Sequence, residues 1–454
     1  MNIKQNITYA EKGEILAKYN LLVYGCQMNE HDGEKIAGIL EKCGYQPTPH
    51  VEEADLIAIL TCSVRESAEN KIYGLLGRLQ KLKEQKRSLQ IIIGGCMTQQ
   101  KDVALKMRQR FPGVDLFFGT HNLAELEDLI RRLQSRQIRR YLIHHPEHQG
   151  IAEGLPLKRK HPFKAWVDIS YGCNNFCTYC IVPYVRGRER SRRPEEIIRE
   201  IEALVQQGYR EVTLLGQNVD SYGQPEGEIS FARLLEKINA IQGLQRIRFM
   251  TSHPKDISED LLKVMVQADK VCEHIHLPVQ SGSSRILKKM NRGYSRENYL
   301  ELIQMIRSYL PQIALTSDVM VGFPGETEED YQQTMELLRQ VQFDSAYTFI
   351  YNVRPGTPAA KMPDQIPQTV KSQRIQAMVD LQNSLTLAKN QQEAGQVQEI
   401  LVEGASKLDP FWYCGRNRGN KLVIFPQENY QPGQLISLKI TEGTLSHLKG
   451  IPLS

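Results

Sequence analysis

Tyr171-Gly-Cys173-Asn-Asn-Phe-Cys177-Thr-Tyr179-Cys180 sets three cysteines in the spacing C-x3-C-x2-C, directly after an apolar, β-rich run at 165–170. Iron-sulfur cubanes take four ligands, so three thiolates on one loop can leave one iron open to a ligand from outside the protein. In a barrel of parallel strands, the carboxyl end of a strand is also where active sites assemble. The stretch therefore predicts a metal site at the rim of a parallel β/α fold.

Two alternatives to an iron-sulfur cluster exist for this triplet, a structural zinc ion and a reduced loop without metal. Structural zinc normally takes four ligands, often from two C-x2-C pairs. No fourth Cys or His near the three completes such a set. The spacing therefore favours the cluster.

Five more β-rich runs follow the first one, separated by amphipathic helical stretches such as 194–207 and 328–341. These runs are 211–215, 246–251, 274–278, 314–321 and 347–351. A complete barrel needs eight βα repeats, and this series has six. We therefore expect an open, partial (β/α)6 barrel in an α/β protein.

The first third of the chain has a βαβα rhythm of its own, which indicates a parallel sheet covered by helices. Its β-rich runs are 20–25, 54–60, 89–94 and 114–119. Cys26, Cys62 and Cys96 each follow one of these runs, with gaps of 36 and 34 residues (62 − 26 and 96 − 62). A gap of one βα unit places all three at the carboxyl edge of one sheet.

These three cysteines can be ordinary core residues, because free cysteine is often buried. Their repetition just past each strand favours a second, auxiliary cluster with an open iron instead. Cys43, Cys272 and Cys414 fall outside both triplets and are assigned no chemistry; packing is expected for the first two.

The C-terminal part, after a helical stretch at 369–393, changes to short β-rich runs at 397–402, 411–414, 421–425 and 435–440. Such a pattern predicts a small β-barrel of the oligonucleotide-binding (OB) type. Aromatic and basic residues alternate in 411–421, which suits base stacking and backbone contact, so Arg416, Arg418 and Lys421 are RNA-binding candidates. Trp412 and Tyr413 are equally compatible with the barrel core.

A second basic segment follows the cysteine loop and contains five arginines within eight residues: Arg186, Arg188, Arg190, Arg192 and Arg193. Arginines this close together can bind the phosphates of a nucleic acid at the rim of the site. The alternative is a solvated approach to a helix.

The chain has 454 residues, nine cysteines and a formal charge of +5, too small to identify a nucleic-acid partner by itself. Its opening residues lack a signal-peptide pattern and no run is apolar enough to span a membrane, so we expect a cytoplasmic protein with reduced thiols. Its length predicts several domains. We place them at 15–135, 159–385 and 389–452.

The 171–180 segment resembles the signature of the radical SAM superfamily. In that superfamily the open iron chelates S-adenosylmethionine (SAM), and one electron cleaves SAM to a 5'-deoxyadenosyl radical. The resemblance implies that Cys173, Cys177 and Cys180 hold a 4Fe-4S cluster and that Tyr179 lies near the adenine, although packing beside the cluster is an equal alternative.

The two triplets and the β-rich tail together resemble the methylthiotransferase family over almost the whole chain. Further segments carry the resemblance: Leu215-Gly216-Gln217-Asn218-Val219, 248–254, 277–282, 321–327 and 354–358. Most of them are strand ends or helix starts, with Thr327 a helix N-cap. Their position on the active rim recommends Gly216, Gln217, Gln280 and Gly322 as SAM-site candidates.

This resemblance implies an enzyme that replaces an unactivated aromatic C-H with C-SCH3. One SAM would methylate a sulfur held on a 4Fe-4S cluster at Cys26, Cys62 and Cys96, and another SAM at the first triplet would supply the radical. It also implies that the C-terminal barrel is an RNA-binding TRAM module. We expect an electron donor such as flavodoxin or ferredoxin. We also expect the protein to be a monomer.

The substrate is indicated by Gly25-Cys26-Gln27-Met28-Asn29-Glu30, which resembles the branch of the family that modifies N6-isopentenyladenosine in tRNA, next to the anticodon. Gln27 and Asn29 can contact the base of the substrate or, equally, cap the turn around the cluster. The alternatives are methylthiolation of a ribosomal protein or of threonylcarbamoyl-adenosine tRNA, and, from another class, a non-catalytic iron-sulfur RNA-binding protein.

Overall fold

The computed structural model describes residues 17–63, 66–145, 151, 153–224, 229–407 and 411–453. The chain divides into two compact units, Met1–Lys158 and Arg159–Ser454. The second unit contains both the central and the C-terminal predicted domains, so the division into three domains stays a prediction. Within the described ranges, no helix combines the length and the apolar character that crossing a membrane requires.

The first unit is a parallel sheet with helices on both faces, as predicted. Its strand order is β2-β1-β3-β4-β5-β6, and every paired neighbour is parallel. The strands are β1 (Lys18–Val23), β2 (Gln46–Pro47), β3 (Leu56–Thr61), β4 (Gln90–Gly95), β5 (Leu116–Phe117) and β6 (Tyr141–Leu142). The helices are α1 (Gln27–Lys42), α2 (Glu66–Gln85), α3 (Cys96–Gln99), α4 (Lys101–Arg110) and α5 (Leu126–Gln134).

β3 shows why this sequence forms a central strand. All six of its residues are buried, because helices cover both faces of the sheet. Leu56, Ala58 and Leu60 pack on one face with residues of α1 and α5. Ile57 and Ile59 pack on the other face with residues of α2. Successive side chains of the strand point to opposite faces of the sheet, so this apolar run contributes to two separate cores.

The second unit begins with the open barrel. Its parallel sheets are β11-β10-β7 and β12-β13-β14, and an isolated parallel bridge between Ile247 and Val271 joins them. The strands are β7 (Lys164–Asp168), β8 (Ser170–Tyr171), β9 (Arg190–Ser191), β10 (Glu211–Leu215), β11 (Arg246–Phe249), β12 (His274–His276), β13 (Ala314–Val321) and β14 (Ser345–Ile350). The partial (β/α)6 barrel is thereby confirmed, with β8 and β9 as an added antiparallel pair.

The helices of the second unit follow or separate its parallel strands. They are α6 (Val182–Arg186), α7 (Pro194–Gln206), α8 (Phe231–Asn239), α9 (Glu259–Gln267), α10 (Ser284–Lys289), α11 (Arg296–Tyr309), α12 (Glu328–Val341) and α13 (Gln368–Gln391). Thr327 is the N-cap of α12, as predicted, and its hydroxyl accepts a hydrogen bond from the Asp330 N–H (3.3 Å).

The C-terminal segment is a closed five-stranded barrel in the order β15-β16-β17-β19-β18. Its strands are β15 (Val397–Ala405), β16 (Trp412–Asn417), β17 (Leu422–Pro426), β18 (Leu435–Gly443) and β19 (Leu448–Pro452). The sequence pattern missed β19, because Gly450 and Pro452 belong to residue types that are depleted in strands. Ile400, Val423 and Phe425 form the barrel core, with Tyr413 packed against it.

This small barrel docks on the amino ends of the strands of the open barrel. Arg246, at the start of β11, is fully buried and its guanidinium contacts the Glu399 carboxylate (2.7 Å). Arg248 donates to the carbonyl oxygens of Asn417 (2.7 Å) and Arg418 (2.9 Å). Catalytic residues of such barrels lie at the carboxyl ends of the strands. The small barrel therefore sits at the opposite end from the cysteine loop.

Arg248→Met is expected to destabilise the second unit by about 3–5 kcal/mol, the cost of breaking a buried ion pair from one side. The Glu211 carboxylate, 2.9 Å from Arg248 Nε, would be left buried without its cation. Arg233→Met is the matched control, because the Arg233–Glu236 pair is exposed and such pairs contribute about 0–1 kcal/mol. Denaturant unfolding of the two variants measures the difference; equal midpoints would contradict the expectation.

Candidate functional site

Cys173, Cys177 and Cys180 lie on a loop at the carboxyl end of the barrel strands, directly after β8. Pairing of β8 with β9 closes the base of this loop. Gly172 has φ +76°, and a Cβ atom there would lie 2.1 Å from the Arg188 carbonyl oxygen. Only glycine fits this close backbone approach. The local sequence thus shapes the loop before any metal arrives.

The turn after α10 holds the same loop from the other side. Thr178 donates from its N–H to the Met290 carbonyl (3.0 Å) and from its hydroxyl to the Lys289 carbonyl (2.9 Å). The Asn291 side-chain amide donates to the carbonyls of Asn175 (3.1 Å) and Phe176 (3.2 Å). The cysteine loop is therefore tied to residues more than a hundred positions away in the chain.

Burial governs the protonation of two of these thiols, Cys173 and Cys180. It raises the pKa of Cys173 to about 11. Burial, with the neighbouring Cys177 as the next cause, raises the pKa of Cys180 to about 12. Metal ligands must be thiolates, so metal binding here has to displace protons, and the positive charge of iron supplies the compensation. The high pKa values of Cys173 and Cys180 argue against a free thiolate nucleophile at these two positions.

Unpartnered polar atoms line the strand ends beside the loop. Within the described ranges, Ser170 Oγ, Gln217 Oε1, Asn218 Oδ1 and His253 Nε2 are buried and have no hydrogen-bond partner. Burial, followed by the charge of Arg292, lowers the pKa of His253 to about 2, so the ring is neutral. Such atoms fit a polar ligand, because buried polar groups normally have a partner. Gln217 is one of the predicted SAM-site residues, and Asn218 and His253 are further candidates; contact of all three with SAM stays a prediction.

Three carboxyl groups surround this polar rim. Burial raises the pKa of Glu189 to about 7 and that of Asp220 to about 7. Burial also raises the pKa of Asp256, whose carboxylate accepts a hydrogen bond from Asn218 Nδ2 (2.7 Å). Glu189 accepts a hydrogen bond from the Ser221 hydroxyl. These groups can bind a donor such as an ammonium or a ribose hydroxyl.

The other predicted SAM-site residues lie at strand ends, and each has a packing contact. A Cβ on Gly216 would lie 2.5 Å from Ser170 Oγ. Gln280 has φ +69°, is buried, and pairs with Val319. A Cβ on Gly322 would lie 2.4 Å from Lys371 Cγ of α13. Tyr179 packs against an apolar cluster that includes Phe323. Their contact with SAM stays a prediction.

Cys26, Cys62 and Cys96 follow the neighbouring strands β1, β3 and β4 at the carboxyl edge of the first unit's sheet. Thr61 pairs with Gly95, so Cys62 and Cys96 are the next residues on their two strands. Cys26 is exposed, whereas the other two are buried. The predicted placement at one edge is confirmed; cluster binding there stays a prediction.

Asn29 closes the turn around Cys26. Its side-chain amide donates to the carbonyls of Tyr24 (2.7 Å) and Thr61 (2.9 Å), which ties the end of β1 to the end of β3. The Thr61 hydroxyl donates to the Gly94 carbonyl (2.7 Å) and so ties β3 to β4. Of the two roles compatible with the sequence, this geometry gives Asn29 the turn-capping one.

Gly25→Ala is expected to lower iron retention at this edge and to destabilise the first unit by about 1–3 kcal/mol, the cost of a strained backbone. Gly25 has φ +132°, and its Cβ would lie 2.8 Å from Cys62 Cβ. Gly44→Ala is the control, because its φ is +89° but nothing lies within 4 Å. Iron analysis and thermal unfolding compare them; equal iron content would contradict the expectation.

The remaining cysteines have packing roles or simple contacts. Cys43 and Cys272 are buried, as expected, and Cys414 is partly exposed. Across the described part of the chain, no group of three or more His, Cys, Asp or Glu side chains is placed to hold a single metal ion. A four-iron cluster is larger than one ion, and its thiolates stand further apart.

Several of the arginines and the lysine predicted to bind RNA make contacts within the protein. Arg192 pairs with Glu200 (2.7 Å), Arg418 pairs with Glu273 (2.6 Å), and Lys421 pairs with Asp344 (2.8 Å). Arg186 is buried, Arg190 is half-buried, and Arg416 donates to the Asn420 carbonyl (2.8 Å). Arg188 and Arg193 are exposed. Fewer of these basic side chains are accessible than their number in the sequence indicates. Ion pairs with carboxylates far away in the chain cannot be recognised from the sequence.

Family models match two parts of the chain. The Radical SAM superfamily model matches residues 167–338. The model of Uncharacterized protein family UPF0004 matches residues 18–119. A solved structure of the radical S-adenosylmethionine methyltransferase TsrM from Kitasatospora setae, with cobalamin and a 4Fe-4S cluster bound, has a TM-score of 0.55 at 14% identity, covering 76% of this chain and 74% of that one. That likeness concerns the fold alone.

Relatives of known name match the chain almost end to end. The tRNA-2-methylthio-N(6)-dimethylallyladenosine synthase of Carboxydothermus hydrogenoformans is 55% identical over 95% of this chain and 98% of its own length. The enzyme of the same name from Desulforamulus reducens is 56% identical, over 95% of this chain and 94% of its own length. Relatives with this sequence identity and this coverage show to which family the chain belongs. The chain is a member of the tRNA-2-methylthio-N(6)-dimethylallyladenosine synthase family, within the radical SAM superfamily of enzymes that use a 4Fe-4S cluster and SAM.

Proposed function

We propose that this enzyme methylthiolates N6-isopentenyladenosine in tRNA, next to the anticodon, by radical activation of an aromatic C-H bond. The observation that carries the proposal is a cysteine triplet at the carboxyl edge of the first unit's sheet and another at the carboxyl end of the open barrel, in a chain that matches enzymes of this name over 95% of its length. An aromatic C-H bond does not yield readily to acid/base or nucleophilic catalysis. A carbon-centred radical can break it.

Cys173, Cys177 and Cys180 would hold the cluster that binds SAM, and Cys26, Cys62 and Cys96 would hold a second cluster. When bound, the first cluster would pass one electron to SAM, whose cleavage supplies the radical, and the second cluster would hold the sulfur that is methylated and transferred. Ser170, Gln217, Asn218 and His253 present buried polar atoms that fit the hydroxyl and amino groups of SAM. Asn291 and Thr178 keep the cysteine loop in place.

Exposed arginines near the cysteine loop support contact with RNA. The Arg188 guanidinium lies 4.3 Å from the centre of the Phe176 ring, which orients its charge at the loop surface. Arg193 is exposed immediately before α7. We further propose a cytoplasmic monomer that receives electrons from a flavodoxin or a ferredoxin.

Replacing both Arg188 and Arg193 with alanine is expected to weaken tRNA binding and to reduce its salt dependence, by a slope of about one for each phosphate that is no longer neutralised. Binding isotherms at several salt concentrations measure the slope. Arg199→Ala is the control, because Arg199 is exposed but pairs with Glu196 (2.8 Å) on the same helix. A slope unchanged from the wild type would remove these two arginines from the RNA surface.

The test of the proposed function is mass spectrometry of tRNA hydrolysates from a strain that lacks the gene. Loss of methylthio-isopentenyladenosine, restored by the wild-type gene, is the expected result. An unchanged level would exclude this substrate. Loss of a modification on threonylcarbamoyl-adenosine or on a ribosomal protein would assign one of the other substrates instead.

A further inference from the structure

Arg292 joins the cysteine loop to two other segments of the active rim. From sequence it is one basic residue in the stretch 290–294, without a recognisable signal. We infer that Arg292 is a positioning residue that raises the reduction potential of the cluster held by Cys173, Cys177 and Cys180. This inference rests on the proposed assignment of those cysteines as cluster ligands.

The orientation of the guanidinium is fixed by contacts at all three of its nitrogens. Nη1 lies 3.4 Å from Cys177 Sγ and 3.5 Å from the Tyr179 hydroxyl. Nε donates to the Tyr294 hydroxyl (2.9 Å), and Nη2 donates to the Pro278 carbonyl (2.8 Å). A planar fork held at each nitrogen has little freedom to turn away from the sulfur.

Among the described residues, the hydrogen-bond partners of Arg292 include no carboxylate, and its charge acts on the Asp256 carboxylate only through space. The side chain is buried, with 5% of its surface exposed. Within the described ranges, the guanidinium contacts a thiol, two phenols and a carbonyl, and it forms no ion pair with a carboxylate. A buried charge left unpaired is costly. Anionic thiolates and the cluster that they bind are the partner that would offset this cost.

A fixed positive charge beside one ligand sulfur changes the free energy of reducing the cluster, and therefore its reduction potential. One electron enters from an external one-electron donor, the cluster charge falls by one, and no proton moves. The guanidinium favours the more negative, reduced form, and its N–H donates to the sulfur. Hydrogen bonds to sulfur and net charge are among the factors that set iron-sulfur potentials.

The test is a redox titration of reconstituted full-length protein, followed by electron paramagnetic resonance, with dithionite as reductant. The relevant signal is the one that changes when SAM is added. Arg292→Met should lower the equilibrium constant for reduction by at least about tenfold, from loss of one hydrogen bond to a charged group. Tenfold corresponds to about 59 mV for one electron. Arg292→Lys keeps the charge without the fork and should shift the potential less.

Arg296→Met is the matched control, because Arg296 contacts Glu336 (3.4 Å) and not the cysteine loop. Iron content is measured in every variant. Unchanged potential in Arg292→Met with full iron content would overturn the inference. If Arg292→Met loses the cluster, the potential of Arg292→Lys tests the inference instead. Iron loss in both variants would show that Arg292 has a structural role only and would overturn the inference. A wild-type protein without any SAM-responsive signal would instead refute the cluster assignment.

Discussion

Replacing Cys177 with alanine is expected to abolish reductive cleavage of SAM, so that 5'-deoxyadenosine falls to the background of the assay. Three thiolates bind three of the four irons of a cubane and leave one iron open for SAM, so the loss of any one of them removes a ligand. Cys177 is the buried member of the set and receives the Arg292 contact. Cys173→Ala and Cys180→Ala should have the same effect.

The control for this experiment is Cys272→Ala. Cys272 is buried in the same unit but lies before β12, at the opposite end of the strands from the cysteine loop. We expect normal iron content and normal 5'-deoxyadenosine formation in this variant. Chromatography of the nucleoside after incubation with SAM and dithionite measures both variants. Turnover by Cys177→Ala above background would contradict the assignment of this loop as the radical-generating site.

Replacing Cys62 with alanine is expected to have a different outcome, in which methylthiolation is abolished while SAM cleavage continues. Cys62 is buried at the carboxyl end of β3, between the residues that follow β1 and β4. Losing this ligand should remove the second cluster and lower the iron content from about eight to about four atoms per chain. The first triplet belongs to the other unit and keeps its own ligands.

Cys43→Ala is the matched control for the second triplet. Cys43 is also buried in the first unit, but it caps the far end of α1 and packs in an apolar core. This variant should lose some stability and keep its iron. Mass spectrometry of modified tRNA, nucleoside analysis and iron analysis together separate the two cysteines. Methylthiolation at the wild-type rate by Cys62→Ala would refute a catalytic second cluster.

The alternation of apolar runs and helical stretches was sufficient to predict the parallel sheet of the first unit and the open barrel of the second. Buried parallel strands are apolar on both faces, so runs such as Leu56–Thr61 are unambiguous. Several strands were not predicted from the sequence. β2 and β6 have two residues each, too few to show a period, and β19 contains Gly450 and Pro452, residue types that are depleted in strands. Pairing with neighbouring strands rather than local preference holds all three in their sheets.

The candidate site was predictable wherever local spacing carries the chemistry. Both cysteine triplets follow strands, and parallel strands bring their carboxyl ends to one edge. RNA contact was harder to assign. Arg418 and Lys421 read as exposed basic residues, yet their partners Glu273 and Asp344 are far away in the sequence. An ion pair between distant segments leaves no local pattern.

Cysteine spacing and strand periodicity are local properties, so the order of amino acids alone was enough to identify the candidate metal ligands and the strand ends that carry them. The surroundings of those ligands depend on the folded chain. Folding brought the Arg292 guanidinium to Cys177, left polar atoms of Asn218 and His253 unpartnered beside the loop, and used Arg248 to hold the small barrel. Electrostatic contacts depend on distance in space, and chain order does not record that distance.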